Sequence, residues 1–500
     1  MGAKSNVDEI AVETAVETAV LLAEGLSGED PEAHLSWSNT EHVPEATRAA
    51  RGKLARARVP HESQAGLPRP KTRRNPVDLL ERQAATRIPE LVPIRHGRML
   101  VSPFTYYRGA ALPMAADLAT TPDAGQTVQL SGDAHLLNFG IFGSGERHLY
   151  FDANDFDETA PGPWEWDVKR LAASLEVAGR DNEFTEKECS KIVKAAVRSY
   201  RKTMHELARM SMLEVWYTHL DLDDLLPRFR SALDPKKTAS VYKAIANARA
   251  HDSIRAFDKL CRKVENQPRI ISDPPLIIPV EELAGVLDPA SIVSAMHEII
   301  QSYRRTLLPH RRHLLSQYRV AHLARKVVGV GSVGTDCWIA LLLDRNIGTP
   351  LFLQIKQAQA SVLEEFTSPS AFSHQGHRVV AGQRLMQATT DILLGWDRFG
   401  WDGSVRDGYV RQLRDWKGSA EIRGMTPASM SLWGRMCGWS IARAHARSGD
   451  RIAIAAYLGK SDVFDRAVVD FASMYADQNE RDYLMLQEAV TSGRLAASSL

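Results

Sequence analysis

The chain is organised around residues 131–140, which read SGDAHLLNFG. The residues before it, TVQL at 127–130, have the composition of a short strand, and HLYF at 148–151 predicts a second one. Asp133 and Asn138 therefore lie on the loop that follows a strand. Transfer of a phosphoryl group needs an aspartate that orients the proton of the acceptor hydroxyl. It also needs oxygen ligands close by for the magnesium that bridges the phosphates. The loop offers both residue types.

Three aspartates stand within six residues at the end of the second predicted strand, where the sequence reads DANDFD. They are Asp152, Asp155 and Asp157. Carboxylates clustered at strand ends bind divalent metal ions, although Asx turns or helix caps use one or two of them without a metal. Asp155 is the favoured ligand, because the DFD sequence places it where the chain turns away from the strand, and Asp152 is the alternative.

Two other residues near this loop have two interpretations each. His135 could ligate a metal or act in catalysis, but no HxH or HExxH pattern accompanies it, so we expect it to hydrogen-bond the backbone. Asp167 stands just before the helical sequence VKRLAAS. It either caps that helix or braces the loop around Asp133 from behind.

A glycine-rich segment lies far downstream at 327–335, VVGVGSVGT, and contains a GxGxxG pattern. Its glycines are Gly329, Gly331 and Gly334. A dinucleotide-binding loop needs a long helix after it, whereas strand-like runs at 337–343 and 351–356 follow here. A glycine-rich hairpin over nucleotide phosphates fits this order better, and the backbone amides of 329–334, including that of Ser332, would cover the phosphates. A tight turn without a ligand is the alternative.

Lys356 ends the second of these strand-like runs and stands in otherwise apolar sequence. A lysine in such a place is costly unless an anionic partner accompanies it. Glu364 is the predicted partner and Glu365 the alternative, because an ion pair of this kind holds a lysine toward nucleotide phosphates. Lys356 is thus predicted to contact the α- and β-phosphates.

Composition excludes several classes of protein. The 500 residues carry a net charge of +1 and 44% hydrophobic residues, which is typical of a soluble globular chain and argues against a general nucleic-acid-binding role. No apolar run reaches membrane-spanning length, the N-terminus has no secretory pattern, and the four cysteines form no CxxC motif. A cytoplasmic protein without a membrane partner is the expectation.

The chain divides into four predicted segments. Residues 1–74 hold a terminal helix near 8–25 and a basic, flexible linker, with nine Lys or Arg residues between Arg48 and Arg74. Residues 75–320 form a helical region with the loop and the metal site, and this region includes a helix from about 289 to 320. Residues 321–425 form a β-rich region with the glycine loop. Residues 426–500 are helices that pack back on the helical region.

The motif Gly132-Asp133-x-His135-x-x-Asn138 resembles the GDxHxxN loop of aminoglycoside and choline kinase-type phosphotransferases, which have the protein-kinase-like fold. The five-residue spacing of Asp133 and Asn138 is also that of the catalytic Asp and metal-binding Asn of kinases. One departure is that Ser131 stands where those proteins often have His. The resemblance implies that Asp155-Phe156-Asp157 holds the magnesium aspartate.

The wider sequence also resembles a bacterial family named domain of unknown function 2252, from about residue 75 to about residue 485. The shared stretches are YRG, GDAHLLNFG, FDANDFDE, WDVKRLAAS, VVGVGSVGT and RQLRDWK. This second resemblance is specific but implies no reaction.

In ordinary kinases the glycine loop and lysine precede the catalytic loop, whereas here they follow it. We therefore hypothesise an α+β, helix-rich, two-lobed kinase-like fold with a permuted order of lobes. The predicted activity is ATP- and Mg-dependent transfer of a phosphoryl group to a hydroxyl of a small-molecule or protein acceptor. Arg411 would lie near the hinge that holds the base. The rival hypotheses are a nucleotide-binding pseudokinase or scaffold, and a metal-dependent hydrolase with His135 and the aspartates as ligands.

Overall fold

The computed structural model describes residues 43–67, 73–223, 246, 249, 253–283, 288–400, 404–413, 416, 418 and 420–498. The described residues within 45–370 and 374–498 belong to one compact unit, and those at 43–44 and 371–373 fall outside it. The predicted terminal helix near 8–25 lies outside the described residues. The fold is α+β and helix-rich, as predicted, with several separate sheets.

The described helices are α1 Glu45–Arg58, α2 Pro76–Ala84, α3 Val92–Met99, α4 Pro103–Gly109, α5 Ala111–Leu118, α6 Glu165–Asp181, α7 Glu186–Leu207, α8 Met212–Tyr217, α9 Ser253–Leu260, α10 Pro289–Tyr303, α11 Pro309–Ser316, α12 Gln375–Met386, α13 Pro427–Ser448, α14 Arg451–Leu458 and α15 Val463–Thr491. The described strands are β1 Thr127–Leu130, β2 Phe139–Gly143, β3 Leu149–Ala153, β4 Ala160–Pro163, β5 Cys261–Val264, β6 Gln267–Ile270, β7 Ile277–Pro279, β8 Tyr318–Lys326, β9 Cys337–Asp344, β10 Pro350–Gln357, β11 Gly395–Phe399 and β12 Arg406–Gln412. Among these helices, none combines the length and the apolar character that a bilayer crossing requires.

Helices α6, α7, α13 and α15 form the helical core that carries the 131–140 loop. Thr185 begins α7 with a capping box, since its side chain accepts from the backbone N–H of Glu188. A glycine then allows α13 to approach α7 closely: a Cβ on Gly438 would lie 2.3 Å from the carbonyl oxygen of Ala196. The long C-terminal helices therefore pack directly on the helices that follow the loop.

Six antiparallel strands form the largest sheet, in the order β11-β12-β10-β9-β8-β7. Its central strand β9 is buried on both faces, because α10 covers Trp338, Ala340 and Leu342 while α9 and the β5–β6 hairpin cover Ile339 and Leu341. This double cover explains the unbroken apolar run of β9, since a strand with one solvated face would alternate with polar residues. The strands predicted at 337–343 and 351–356 are confirmed as β9 and β10.

The region before the glycine loop differs from the prediction. The single helix expected from 289 to 320 is two helices, α10 and α11, followed by strand β8. Pro309 occupies the first turn of α11, where its missing N–H does no harm, and starts a new helix instead of continuing the old one. The predicted boundary at residue 320 consequently falls inside β8, which pairs with β9 across the glycine loop.

Helix α1 lies in the segment that the sequence analysis assigned to a flexible linker. Its Gly52 packs so closely on α14 that a Cβ would lie 2.0 Å from the carbonyl oxygen of Ala453. Arg48 also pairs with Asp450 at 2.8 Å. The linker assignment is therefore wrong for residues 45–58, because small residues on one face of α1 let the helix pack closely.

Candidate functional site

A cleft of about 540 Å³ lies between the 131–138 loop and the glycine loop. Its other walls are residues 155–158 after β3, residues 357–365 after β10, and side chains from α2 to α4. The fold thus brings Asn138 and Gly329, which are far apart in the chain, to one cavity.

The Asp133 carboxylate lies in the cleft wall and is held from one side. The Arg170 guanidinium donates to Asp133 Oδ1 from Nε at 2.9 Å, and its Nη2 lies 2.8 Å from the same oxygen. Arg170 lies over the Tyr107 ring at 3.9 Å and donates to the Tyr107 carbonyl oxygen. Both nitrogens contact one carboxylate oxygen, and this charge-assisted contact holds Oδ1 in place. Oδ2 remains free of the guanidinium.

Asp167 braces the same loop from behind and does not cap its own helix. Its two carboxylate oxygens accept the backbone N–H groups of Ser131 at 2.7 Å and Gly132 at 3.0 Å. His445 from α13 lies 3.3 Å from Oδ2. Gly132 has φ +84°, and a Cβ there would lie 2.1 Å from the Glu158 carbonyl oxygen, so glycine is required at this turn. Two roles were predicted for Asp167, helix capping and bracing of the loop, and its side chain braces the loop.

His135 hydrogen-bonds the backbone, as its sequence context predicted. The N–H of Leu137 donates to His135 Nδ1 at 3.2 Å, while Nε2 lies 3.8 Å from Asp133 Oδ2. Burial lowers the pKa of His135 to about 3, so the ring is neutral at physiological pH. The side chain lines the cleft, but it is a positioning residue for the loop in this geometry.

The three aspartates of the DANDFD segment have three different environments. Asp152 is buried and pairs with Arg443 at 2.5 Å, and it accepts the N–H of Ala388 at 3.0 Å. Asp157 is engaged by Lys356 and Tyr409, both at 2.6 Å. Asp155 lines the cleft, and among the described residues its carboxylate accepts only the N–H of Asp157, at 3.4 Å. Asp155 is therefore the aspartate available to a ligand, and Asp152 is a buried structural group.

The nitrogen and the oxygen of the Asn138 side-chain amide have different hydrogen-bonding environments. Its Nδ2 donates to the Asp133 carbonyl oxygen at 2.8 Å, and no described residue donates to its Oδ1. Asn138 lines the cleft together with Asp155. An amide oxygen and a carboxylate are hard oxygen donors that suit magnesium, so these two residues fit a magnesium ion. A different group of possible ligands, His148, Asp221 and Asp223, lies outside the cleft, and Arg249 pairs with Asp223 at 2.8 Å.

The glycine loop joins β8 to β9, so it has a strand on each side, as a phosphate-covering hairpin requires. Gly329 and Gly334 have φ +66° and +91°, a conformation that favours glycine. Gly329, Gly331 and Ser332 line the cleft. The Ser332 hydroxyl donates back to the Val328 carbonyl oxygen at 3.1 Å and closes the turn. Gly334 lies against Arg87 and is absent from the cleft lining.

The partner of Lys356 differs from the prediction. Lys356 lies opposite Cys337 on β9, is 2% exposed, and places Nζ 2.6 Å from Asp157 Oδ2. Burial alone would lower the pKa of this ammonium, but Asp157, Tyr409 and Asp155 together outweigh burial and raise the pKa above its usual value. The pair ties the sheet to the DANDFD segment.

Glu364 has a different role from the one predicted. It accepts the N–H groups of Ser361 and Ser370 and lies 3.6 Å from Arg378. Glu365, the alternative partner, pairs with Arg74 and Arg82 at the edge of the cleft. A spacing argument along the chain missed Asp157, because its contact with Lys356 spans about 200 positions.

Arg411 connects the sheet to the same segment. From β12, its Nε donates to Gln354 Oε1 at 3.1 Å and its Nη1 donates to the Asn154 carbonyl oxygen at 3.3 Å. Arg411 does not line the 540 Å³ cleft. Its predicted place near a nucleotide base remains a prediction, since part of the segment after β12 lies outside the described residues.

Sequence analysis missed four arginines in the cleft wall: Arg82 and Arg87 on or just after α2, Arg95 on α3, and Arg108 on α4. It also missed Glu158, whose pKa burial raises to about 7. The only sequence signal was a local excess of arginine in 82–108, which periodicity cannot assign to one cavity. These residues come together because α2, α3 and α4 end at the same wall.

The comparisons with known proteins identify the family. A family model described as an uncharacterized protein conserved in bacteria (DUF2252) matches residues 87–489. No curated protein and no solved structure shows a significant match to the chain. The resemblance to kinase-type phosphotransferases therefore rests on the motif alone. Because the family model spans well over half of the residues, the chain belongs to the DUF2252 family of bacterial proteins.

Proposed function

We propose that this protein is an ATP- and magnesium-dependent phosphotransferase with a kinase-like active site in a permuted chain order. One observation carries the proposal. Asp133, Asn138 and Asp155 share a single cleft with the glycine loop, although the two groups are separated by roughly 190 positions. Lys356 approaches the same place through its contact with Asp157. If the glycine loop were only a turn and the aspartates only a surface cluster, there would be no physical reason for them to line the same cleft.

Asp133 suits the role of the group that receives the proton of the acceptor hydroxyl. Arg170 fixes one of its oxygens, so the other can face a hydroxyl placed in the cleft. In the proposed reaction the acceptor oxygen forms a bond to the terminal phosphorus of ATP, and the bond from that phosphorus to the bridging oxygen breaks. ADP leaves, and the acceptor proton passes to Asp133 and then to water.

Asn138 and Asp155 are the residues that would hold magnesium, which when bound neutralises charge on the phosphate oxygens. Asp155 supports this role because its carboxylate makes no ion pair with a described residue, unlike those of Asp152 and Asp157, although Lys356 and Arg411 are close enough to feel its charge. Lys356 and the backbone of the glycine loop would lie along the phosphates. In this scheme Asp157 orients Lys356 in place of the glutamate that the sequence suggested.

The first test is a thermal-shift titration with ATP and magnesium on the full chain. A specific ligand at a hundredfold excess over Kd stabilises by about 2.7 kcal/mol, which is readily measured. We expect the wild type to shift, and Asp155→Asn and Lys356→Met to lose the magnesium-dependent shift. Glu364→Gln is the matched control and keeps it, since Glu364 contacts only nearby backbone and Arg378.

A wild-type protein that shows no nucleotide-dependent shift would contradict the proposal. A shift that survives both Asp155→Asn and Lys356→Met would place the nucleotide elsewhere and contradict it as well. Binding without any transfer of the terminal phosphate from ATP, across a screen of hydroxyl acceptors, would identify the protein as a pseudokinase.

A further inference from the structure

Three arginines of the cleft, two of them buried and Arg108 half-buried, have buried N–H groups that lack a partner. Arg95 is fully buried, and its Nε and Nη1 have no hydrogen-bond partner among the described residues; the Nε atoms of Arg87 and Arg108 are in the same state. All three side chains line the cleft. Buried donors are nearly always satisfied, and an unpaired buried cation is costly. Three in one wall indicate a missing anionic ligand.

Arg87 and Arg95 are anchored by their other nitrogens, so the positions of these two side chains do not depend on the ligand. Arg95 Nη2 donates to Gln83 Oε1 at 2.7 Å and to the Gly109 carbonyl oxygen at 2.9 Å. Arg87 donates from Nη1 to the Val333 carbonyl oxygen of the glycine loop. A guanidinium that is fixed at one edge and free at the other is preorganised to bind an oxyanion.

The electrostatics agree with this geometry. Burial lowers the pKa of Arg87 to about 10 and also lowers that of Arg95, with the Arg87 charge adding to the effect on Arg95. Nearby like charges in a buried wall repel. The carboxyl of Glu158 partly offsets this repulsion at Arg87 and Arg95, and a bound anion would relieve the rest. Lys356 differs, because Asp157 already neutralises it.

Arg108 lies on the acceptor side of the proposed chemistry, whereas Arg87 contacts the glycine loop. Arg108 is close enough to Asp133 for each charge to affect the other, and it also lowers the pKa of His135. Gly331 at the tip of the glycine loop approaches the Arg108 carbonyl oxygen: a Cβ there would lie 3.3 Å away. An anion that contacts Arg108 would therefore lie next to the residue proposed to receive the hydroxyl proton.

We propose that Arg87, Arg95 and Arg108 form an oxyanion pocket that holds a phosphate group of the acceptor. The acceptor class is then a small phosphorylated molecule with a free hydroxyl. This assignment of the anion to the acceptor rests on the proposed phosphotransferase function, whereas the oxyanion pocket stands on the unpaired arginines alone.

The test uses inorganic phosphate as the probe, by isothermal titration with the full chain at constant ionic strength. We expect saturable binding by the wild type and a loss of about tenfold or more in Arg108→Gln and in Arg87→Gln, the size of a lost charge-assisted hydrogen bond. Arg262→Gln is the control, since Arg262 is exposed on β5 outside the cleft. Arg95→Gln is a third variant; if it fails to fold, the other two still decide the question.

Unchanged phosphate binding in Arg87→Gln and Arg108→Gln, or no saturable binding by the wild type, would overturn the oxyanion pocket. A second titration adds a saturating non-hydrolysable ATP analogue with magnesium. Phosphate that still binds supports an acceptor pocket, while phosphate displaced by the analogue assigns the arginines to the nucleotide and overturns the acceptor class. A wild type that binds phosphate but no analogue contradicts the phosphotransferase function and supports the oxyanion pocket.

Discussion

The aspartate segment behind the cleft and the arginine wall across from it differ in how completely their charges are paired. Behind the cleft, Asp152 has Arg443, and Asp157 has both Lys356 and Tyr409. In the cleft, neither Asp155 nor Arg95 makes an ion pair with a described residue. Arg95 and Arg443 each have two donors without acceptors, but only Arg443 has a carboxylate beside it. Both regions bury charge, so burial alone does not mark a functional residue. A buried charge that lacks an ion-pair partner and lies next to a cavity does mark a functional residue.

The comparison predicts that removing a paired charge lowers stability most. Asp152→Ala would leave the fully buried Arg443 guanidinium without its carboxylate, and breaking a buried ion pair in this way costs about 3–5 kcal/mol. Chemical denaturation would measure the free energy of unfolding. The double variant Asp152→Ala with Arg443→Met should recover part of the loss. A loss below about 1 kcal/mol in the single variant would show that the pair is not needed for folding.

Asp167→Ala should have the second largest effect. It leaves the backbone N–H groups of Ser131 and Gly132 buried without an acceptor, which costs about 1–3 kcal/mol. Asp167→Asn keeps one oxygen acceptor and is expected to lose less. Denaturation midpoints of the two variants, measured side by side, test the order. Equal losses would mean that packing, and not the hydrogen bonds, explains the role of Asp167.

Replacing Glu158 should change the free energy of unfolding by an intermediate amount that depends on pH. Burial raises the pKa of this carboxyl to about 7 from 4.5, so the folded state holds a proton that the unfolded state releases. Its contribution to stability falls as the pH rises from about 4.5 to 7 and is constant above that. Glu158→Gln should therefore gain about 1 kcal/mol over the wild type at pH 8, a value reduced for the partial exposure of the side chain.

Denaturation at pH 4 and pH 8 would check this sign. The groups whose charges act on Glu158, among them Arg378, Asp133 and Asp157, are unchanged in the variant. A gain that is the same at both pH values would exclude titration of Glu158 as its cause.

Asp155→Asn should have the smallest effect on folding. Its carboxylate has no cationic partner to leave unpaired, so the free energy of unfolding should stay within about 0.5 kcal/mol of the wild type. Metal-dependent nucleotide binding should nevertheless be lost if the proposed function is right. Denaturation and thermal shift on the same preparation separate the two properties. A large loss of stability in Asp155→Asn would show that the Asp155 carboxylate is as important for folding as the paired carboxylate of Asp152.

The local parts of the fold and the candidate site were predictable from residue patterns. The strands predicted at 127–130 and 148–151 are present as β1 and β3, and the apolar runs at 337–343 and 351–356 are strands of one sheet. Strand β2, which pairs with β3, was not predicted. The preference for Asp155 over Asp152 as a ligand agrees with the environments of their carboxylates. His135 was also predicted to hydrogen-bond the backbone, and the backbone N–H of Leu137 donates to its ring.

Other predictions failed where a distant contact decided the outcome. The helix expected through residue 320 gave way to β8, because pairing with β9 stabilises an extended chain there. Helix α1 was assigned to a linker because its partner, α14, is about 400 positions away. Glu364 was chosen for Lys356 by proximity along the chain, although a carboxylate from the DANDFD segment lies closer in space.

The amino-acid sequence was sufficient to establish the family and the mixed α+β class, because these depend on local composition and short spacings. It also supplied the residue types on which the proposed phosphoryl transfer rests. The tertiary structure was needed to identify the partner of Lys356, the aspartate left open to the cleft, and the wall of Arg87, Arg95 and Arg108. Each of these depends on contacts between segments far apart in the chain. Electrostatic interaction falls off with distance in space and not with separation along the chain, so their pairing could be seen only after folding.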